Sequence, residues 1–182
     1  MPSLEFSAAL DRPDLLARRV QAALERLDPA LAAEVRVSSI DPSLADTAAF
    51  CQAYGVATDE SANCIVVAGT RGETTTYAAC LVLATTRADV NGVVRRLLGA
   101  RRASFAPMDD AVAHTAMEYG GITPIGLPED WAVLVDARVA ELPAAIVGAG
   151  IRGAKLSVPG RVLAALPTAQ VIDGLARELP AD

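Results

Sequence analysis

Two glycine-rich segments are the most distinctive candidates for chemistry in this sequence. The first runs from Gly120 to Gly126 and the second from Gly148 to Lys155. Glycine lets the backbone approach a ligand closely, and backbone N–H groups can stabilise a developing oxyanion. Tight turns are the alternative interpretation, because glycine adopts positive φ at no steric cost. Both segments are therefore candidate ligand-binding loops.

The second segment also carries the letters GxGxxG, with glycines at positions 148, 150 and 153. As a dinucleotide-binding fingerprint, that pattern requires a helix to begin directly after the glycines. Residues 155–159 instead have the pattern of a strand ended by proline. We therefore reject dinucleotide binding, and we predict no cofactor.

Conventional nucleophiles and metal ligands are scarce. A pair of Cys64 and His114 could in principle activate a thiolate, but no local motif links them. The alternative for His114, the only histidine, is a half-exposed position on a helix. Cys51 and Cys80 fall on apolar faces and are predicted core residues. Three cysteines without CxxC spacing indicate neither a disulfide framework nor a metal site.

Composition and charge restrict the partners. The chain has 182 residues and a formal net charge of -6. Such a charge disfavours non-specific nucleic-acid binding, in which phosphate neutralisation supplies most of the affinity. Early acidic residues argue against a signal peptide, and no run of about 18 apolar residues could cross a membrane. We expect a reduced cytoplasmic setting, and neither DNA nor a membrane as partner.

Periodicity and turn residues predict an α+β fold: one domain over residues 1–182, with helices packed around a mixed β-sheet. Gly55 is the predicted C-cap of the second helix. Predicted helices begin near residues 11–13, 42, 89, 109 and 159. Predicted strands cover residues 34–40, 64–68, 75–84, 101–105, 133–136, 144–147, 155–158 and 169–172.

Four stretches, taken in order, resemble the YbaK/ProX/EbsC family of aminoacyl-tRNA editing domains. Residues 62–67 resemble the family's early strand, and residues 120–126 resemble its GxxxP loop. Residues 133–136 resemble its central strand with an acidic residue, and residues 148–156 its closing loop. The resemblance extends from about residue 36 to residue 172. It differs at Asn63, where the family usually has a lysine.

The resemblance implies a trans-editing hydrolase that removes a wrong amino acid from tRNA and so protects translation fidelity. An aminoacyl ester is reactive and has a neighbouring 2′-hydroxyl, so a held ester, a positioned water and oxyanion donors would suffice. The residues implied as catalytic are Asn63, Gly120, Thr123 and Pro124. Those implied in substrate binding are Gly121, Ile122, Asp136, Gly148, Gly150 and Lys155.

Several of these assignments have structural alternatives. Asp136 either serves the site or caps the turn into residues 137–138. Residues 118–119 either form a pocket wall or pack in the core, and residues 109–110 are interpreted as helix-start charges. Arginine forks suit phosphate, although cations are also favoured at a solvated helix end. The candidate contacts with the tRNA backbone are Arg95, Arg96, Arg101, Arg102 and Arg152.

The expected partners are therefore an aminoacyl-tRNA and, as a further candidate, an aminoacyl-tRNA synthetase. Two other functions stay open. The chain could be a non-catalytic module that binds aminoacyl-tRNA or a synthetase, having lost the chemistry with the lysine. It could also hydrolyse a small acyl or aminoacyl ester unrelated to tRNA. A positive rim around the pocket would favour RNA, and a neutral or negative rim a small ester.

Overall fold

A mixed five-stranded sheet forms the larger layer of the computed structural model, which describes residues 3–179. The helices are α1 (Arg18–Arg26), α2 (Pro29–Ala32), α3 (Thr47–Tyr54), α4 (Arg95–Leu97), α5 (Met108–Thr115), α6 (Ala137–Ala140) and α7 (Gly160–Ala164). A π-helical turn at Val90–Val94 leads into α4. The strands are β1 (Ser7–Ala8), β2 (Arg36–Ser39), β3 (Ala62–Arg71), β4 (Thr74–Leu83), β5 (Thr86–Ala88), β6 (Arg102–Phe105), β7 (Ala132–Asp136), β8 (Ala145–Gly148), β9 (Ala154–Val158), β10 (Ala169–Ile172) and β11 (Ala176–Glu178).

The five-stranded sheet has the order β10-β7-β4-β3-β6. Strands β3 and β4 form a long antiparallel hairpin, and β6 pairs antiparallel with β3 at one edge. Strand β7 runs parallel to both β4 and β10. Central β4 is buried over most of its length, as its continuous apolar run predicts.

A second, antiparallel sheet has the order β1-β2-β9-β8. Its hairpin β8–β9 contains the second glycine-rich segment, so no helix follows these glycines. The two sheets meet where the Ile146 amide donates to the Glu60 carbonyl at 2.8 Å, next to a parallel bridge between Ser61 and Ile146. This junction brings the start of β3 next to the glycine-rich turn of the hairpin.

The α+β fold class with a mixed sheet is confirmed. The core consists of Val, Leu, Ile and Ala from both sheets, packed against α1 through Val20 and Leu24. Gly55 ends α3 in a left-handed conformation with φ of 67°, as predicted. The first helix begins at Arg18 rather than near residues 11–13. Short 3-10 turns occupy Ala9–Asp11 and Pro13–Leu15, and Leu16 is extended, so the chain cannot enter α1 earlier.

Candidate functional site

A cavity of about 490 Å³ opens at the junction of the two sheets. Its walls come from the start of α3, the first half of β3, the connection from β6 to α5, the first glycine-rich loop and the β8–β9 hairpin. The lining residues are Ala45, Asp46, Thr47, Ala62, Asn63, Cys64, Ile65, Val66, Phe105, Ala106, Met108, Ala111, Tyr119, Gly120, Ile122, Gly148, Arg152 and Lys155.

The two glycine-rich segments contact each other directly behind this cavity. The Gly150 amide donates to the Gly121 carbonyl at 2.7 Å, and the Glu118 amide donates to the Gly150 carbonyl at 2.9 Å. Gly148 makes the closest approach, because a Cβ there would overlap the Gly121 carbonyl oxygen and lie 2.7 Å from that of Ile122. Absence of a side chain at Gly148 is thus what allows the two loops to dock.

This docking leaves two backbone donors at the cavity without protein acceptors. Within residues 3–179, neither the Gly120 amide nor the Ile122 amide donates a hydrogen bond, whereas the Gly121 amide between them donates to the Glu118 carbonyl at 2.9 Å. Gly120 and Ile122 both line the cavity. Alternate N–H groups of this loop are therefore available to a ligand, as in an oxyanion site.

Asn63 supplies a side-chain donor from the β3 wall. The Thr47 hydroxyl donates to Asn63 Oδ1 at 2.7 Å. This bond occupies the amide oxygen and leaves the Nδ2 group to donate, because no acceptor for Nδ2 lies within the described chain. Asn63 is half-buried on β3, where a rigid sheet fixes its position.

Lys155, on β9, brings the ammonium group of the chain's only lysine into the cavity wall. The residue is 7% exposed, and its Nζ donates to the Ala45 carbonyl at 3.1 Å. The ammonium also lies 5.1 Å from the ring centre of Phe50, within reach of a cation–π attraction. Burial lowers the pKa of Lys155, because desolvation disfavours its charged form.

The charged groups lining the cavity are two cations and one carboxylate. Besides Lys155 these are Arg152 and Asp46. Arg152 donates to the carbonyls of Tyr119 and Pro42 at 3.0 and 3.1 Å, and it has no carboxylate partner for its side chain within residues 3–179. The lining is therefore net positive in a chain whose formal charge is -6.

Cys64 and His114 do not meet in this structure. Cys64 lines the cavity, but burial raises the pKa of its thiol far above neutrality, so the thiolate is not available. His114 lies on α5 with its ring 4.7 Å from that of Tyr77, and it does not line the cavity. Cys51 and Cys80 are buried, as predicted.

Asp136 lies away from the cavity. The residue is 1% exposed, and its carboxylate accepts from the Arg138 amide at 3.0 Å, from Arg138 Nε at 2.8 Å and from the Ala176 amide at 3.0 Å. Burial raises its pKa, but the hydrogen bonds and charge of Arg138 outweigh that effect and the pKa falls below its usual value. Of the two interpretations, this geometry corresponds to the cap of α6.

Four other residues from the glycine-rich segments also lie outside the lining. Thr123 is fully buried, and its hydroxyl has no hydrogen-bond partner in residues 3–179. Pro124 lines a separate cavity of about 430 Å³ formed with α1 and the start of β7. Gly121 and Gly150 are buried behind the site and make the contact between loops.

The arginines around position 100 lie at the edge of the five-stranded sheet. Arg101 and Arg102 flank a shallow depression with Thr70 and Gly72, at the far end of β6 from the cavity. Arg95 donates to the Asn91 carbonyl at 2.9 Å, and Arg96 is exposed. None of the four forms an ion pair within the described residues. Arg152 is the one candidate phosphate contact that the structure brings to the cavity.

Several lining residues were not identified from the sequence, among them Thr47, Phe105 and Met108. Thr47 orients Asn63 across 16 positions of sequence, and no local pattern marks it. Phe105 and Met108 are apolar, so sequence alone suggests core positions. The distinguishing signal for these two is their exposure, which depends on the tertiary structure. Tyr119 is an exposed part of the cavity wall rather than a core residue.

The sequence of the chain matches the family model described as an aminoacyl-tRNA editing domain, over residues 41–166. Among curated proteins, none matches it. No helix of the described residues is both long and apolar enough to span a membrane.

Solved structures share this fold along most of their length. A proposed trans-editing enzyme for prolyl-tRNA synthetase aligns with a TM-score of 0.70 and 25% identity, covering 86% of this chain and 94% of the other. A scaffold used in computational epitope grafting aligns with a TM-score of 0.71 and 27% identity, over 86% and 95% of the two chains. A hypothetical protein aligns with a TM-score of 0.72 over 85% and 99%, at 21% identity.

Proposed function

We propose that this chain, which belongs to the aminoacyl-tRNA editing domain family, hydrolyses the ester of mischarged aminoacyl-tRNA in trans. The observation that carries the proposal is the cluster of unsatisfied donors at one cavity: the Gly120 amide, the Ile122 amide and the Asn63 side-chain amide. Such a cluster suits a carbonyl that becomes an oxyanion. No activated protein nucleophile accompanies it in the described part of the chain, and an activated ester needs none.

In the proposed reaction, a water molecule attacks the ester carbonyl carbon. The oxygen of that carbonyl becomes negative and accepts hydrogen bonds from the Gly120 amide, the Ile122 amide and Asn63 Nδ2, and the last of these also holds the ester in place. The bond from the carbonyl carbon to the ribose oxygen then breaks. The neighbouring ribose hydroxyl relays the proton from the water to the leaving oxygen, which gives a free amino acid and an uncharged tRNA end.

The charge around the cavity favours RNA over a small neutral ester. Arg152 has no carboxylate partner among the described residues, and Lys155 adds a second positive charge to the same wall. Both charges can attract terminal phosphates of a tRNA acceptor end. In an acidic protein, this local positive charge would orient the RNA towards the cavity rather than hold it anywhere on the surface.

A panel of correctly and incorrectly charged tRNAs tests the proposal. Rapid ester loss from one mischarged species, relative to controls without protein, would support editing and identify the amino acid. Removing the donor in Asn63→Ala should lower the rate by about 10²- to 10³-fold, the usual effect of losing one oxyanion donor. The control Asn91→Ala removes an exposed amide at the start of the π-helical turn, and its rate should equal that of the wild type.

A non-catalytic binding module is the second candidate, because Asn63 brings no charge where the family resemblance implies a lysine. If the protein binds charged tRNAs but speeds the loss of the ester from none of them, the hydrolysis proposal is overturned and this candidate is supported. Asn63→Lys would then be the next variant, since it restores the charge at the cavity without changing either glycine-rich loop.

A further inference from the structure

The mouth of the cavity carries an unusual group of exposed apolar side chains. Phe105, Met108 and Tyr119 are 51%, 51% and 60% exposed, and all three line the cavity. Aromatic residues make up only 4% of the chain, and those elsewhere, such as Phe50 and Trp131, are buried or partly buried. The two aromatic rings that are most exposed to solvent therefore lie at the same opening.

The backbone at this opening is held in place while the rings stay exposed. Phe105 ends β6 and pairs in register with Val67 of β3. The Tyr119 carbonyl accepts from Arg152 Nη1 at 3.0 Å, which anchors this residue to the β8–β9 hairpin. Neither ring stacks on another aromatic ring of the described residues. Each ring thus keeps an exposed surface that a ligand can contact.

We propose that Phe105 and Tyr119 form a stacking subsite for the unpaired nucleobases at the 3′ end of the RNA, a proposal that rests on the function proposed above. Aromatic rings stack on any base through its π face, which suits a single-stranded end. Met108 lines the same mouth and adds exposed apolar surface, and its flexible side chain can adapt to a stacked base.

Charge complementarity favours a nucleic acid over a protein at this surface. The Arg152 guanidinium, without a carboxylate partner in residues 3–179, is anchored to Tyr119 itself. At the other end of β6, Arg102 lies three residues before Phe105, or about 10 Å along an extended strand. A strand of RNA whose last bases stack at the mouth can thus place phosphates near Arg152 and near the arginines at the sheet edge.

Stacking can be measured without any ester. The probe is a short single-stranded RNA that ends in CCA, with 2-aminopurine in place of the terminal adenine, mixed with the full chain. Stacking of the probe on a ring quenches 2-aminopurine fluorescence. Phe105→Leu and Tyr119→Leu keep an apolar side chain but remove the ring, and each should weaken binding by about 5- to 100-fold and reduce the quenching. Tyr119→Phe keeps the ring and should behave as the wild type does.

Val171→Ala is the control, because Val171 is an exposed apolar residue on β10, at the opposite edge of the same sheet. Unchanged quenching in both leucine variants would overturn the stacking subsite, even if the protein deacylates tRNA. Normal quenching in the wild type and its loss in the leucine variants would support the subsite even if no tRNA is deacylated. An absence of quenching with the wild type would overturn the proposal and point to a protein partner at the apolar mouth.

Discussion

Adding one methyl group at Gly148 should displace the first glycine-rich loop from the second and lower the proposed deacylation activity. A Cβ at this position would overlap the Gly121 carbonyl oxygen and lie 2.7 Å from the Ile122 carbonyl oxygen. Ordinary contacts need well over 3 Å, so the loop that begins at Gly120 must shift by about 1 Å. That shift would also stretch the 2.7 Å hydrogen bond from the Gly150 amide to the Gly121 carbonyl.

The magnitude follows from these contacts. Overpacking of a tightly packed region costs about 1–3 kcal/mol of stability, and displacing a site by about 1 Å can cost about 10²-fold in rate. We therefore expect Gly148→Ala to fold, with a lower melting temperature, and to deacylate its substrate about 10²-fold more slowly. Rates are compared at least 20 °C below the melting temperature of each variant, so that both remain folded. That margin is at least about five times the shift in melting temperature, about 2–4 °C, that 1 kcal/mol produces in a domain of this size.

Gly153→Ala is a matched control in the same hairpin. Its added Cβ would meet only Pro42 Cγ, at an ordinary contact distance of 3.6 Å. Stability and rate should match those of the wild type. If Gly148→Ala folds and its rate stays within about threefold of the rate of Gly153→Ala, docking of the loops does not position the catalytic donors, and the reasoning from the Gly148 contact fails.

Three further predictions concern charged groups. Asp136→Asn should lower the free energy of unfolding by about 2 kcal/mol at pH 7. Because folding lowers the pKa of Asp136, the difference in unfolding free energy between wild type and variant, measured by urea unfolding, should shrink as pH falls below about 4. If Arg101 and Arg102 each contact a phosphate, replacing both with glutamine should reduce the slope of log affinity for tRNA against log salt concentration by about 1.4–1.8. The control Arg26→Gln on α1 should leave that slope unchanged. An unaltered slope in the double variant would refute the proposed phosphate contacts. Lys155→Met should weaken tRNA binding without loss of stability, since replacing a buried charge with an apolar side chain is often neutral or stabilising. Burial lowers the pKa of Lys155, so the wild type should gain stability over the variant as pH rises towards the unfolded value of about 10.4, and unfolding curves at several pH values would detect this.

The sequence predicted the larger elements of the fold because their signals are local. The apolar runs in β3, β4 and β7 are long enough to show as strands, and Gly55 is a local cap signal. Strands β5 and β11 could not be predicted in this way. Each has three residues, too few for a period, and they pair only because the chain returns after 88 residues to place Ala176 opposite Ala88.

The candidate site shows the same contrast between residues that local sequence patterns identify and residues whose position depends on the tertiary structure. Sequence identified the glycine-rich segments, Asn63 and Lys155, which the structure brings to one cavity or its supporting wall. It could not decide the position of Asp136, because a carboxylate at a strand end has the same local pattern whether it caps a helix or faces a ligand. Its bond to the Ala176 amide, 40 residues away, exists only in the folded chain.

The turn before α3 connects the two polar walls of the cavity. At one end of this turn, the Ala45 carbonyl accepts from Lys155 Nζ; two residues later, the Thr47 hydroxyl donates to Asn63. Asp46, between them, caps α3 by accepting from the Ala48 amide at 3.1 Å and also favours the charged form of Lys155. One short segment thus sets both the hydrogen-bonding state of Asn63 and the position of the ammonium group.

The contacts made by this turn suggest a physical consequence of having asparagine at position 63, where the family resemblance implies a lysine. A lysine at that position would add a third cation to a wall where Arg152 already disfavours the charged form of Lys155. Like charges at close range lower each other's pKa, so two lysines in this cavity would compete for protonation. With an amide at position 63, Lys155 stays the single ammonium group, and Asn63 can donate to a carbonyl at any pH. Under the proposed function, Lys155 would therefore supply charge attraction and Asn63 would orient the ester.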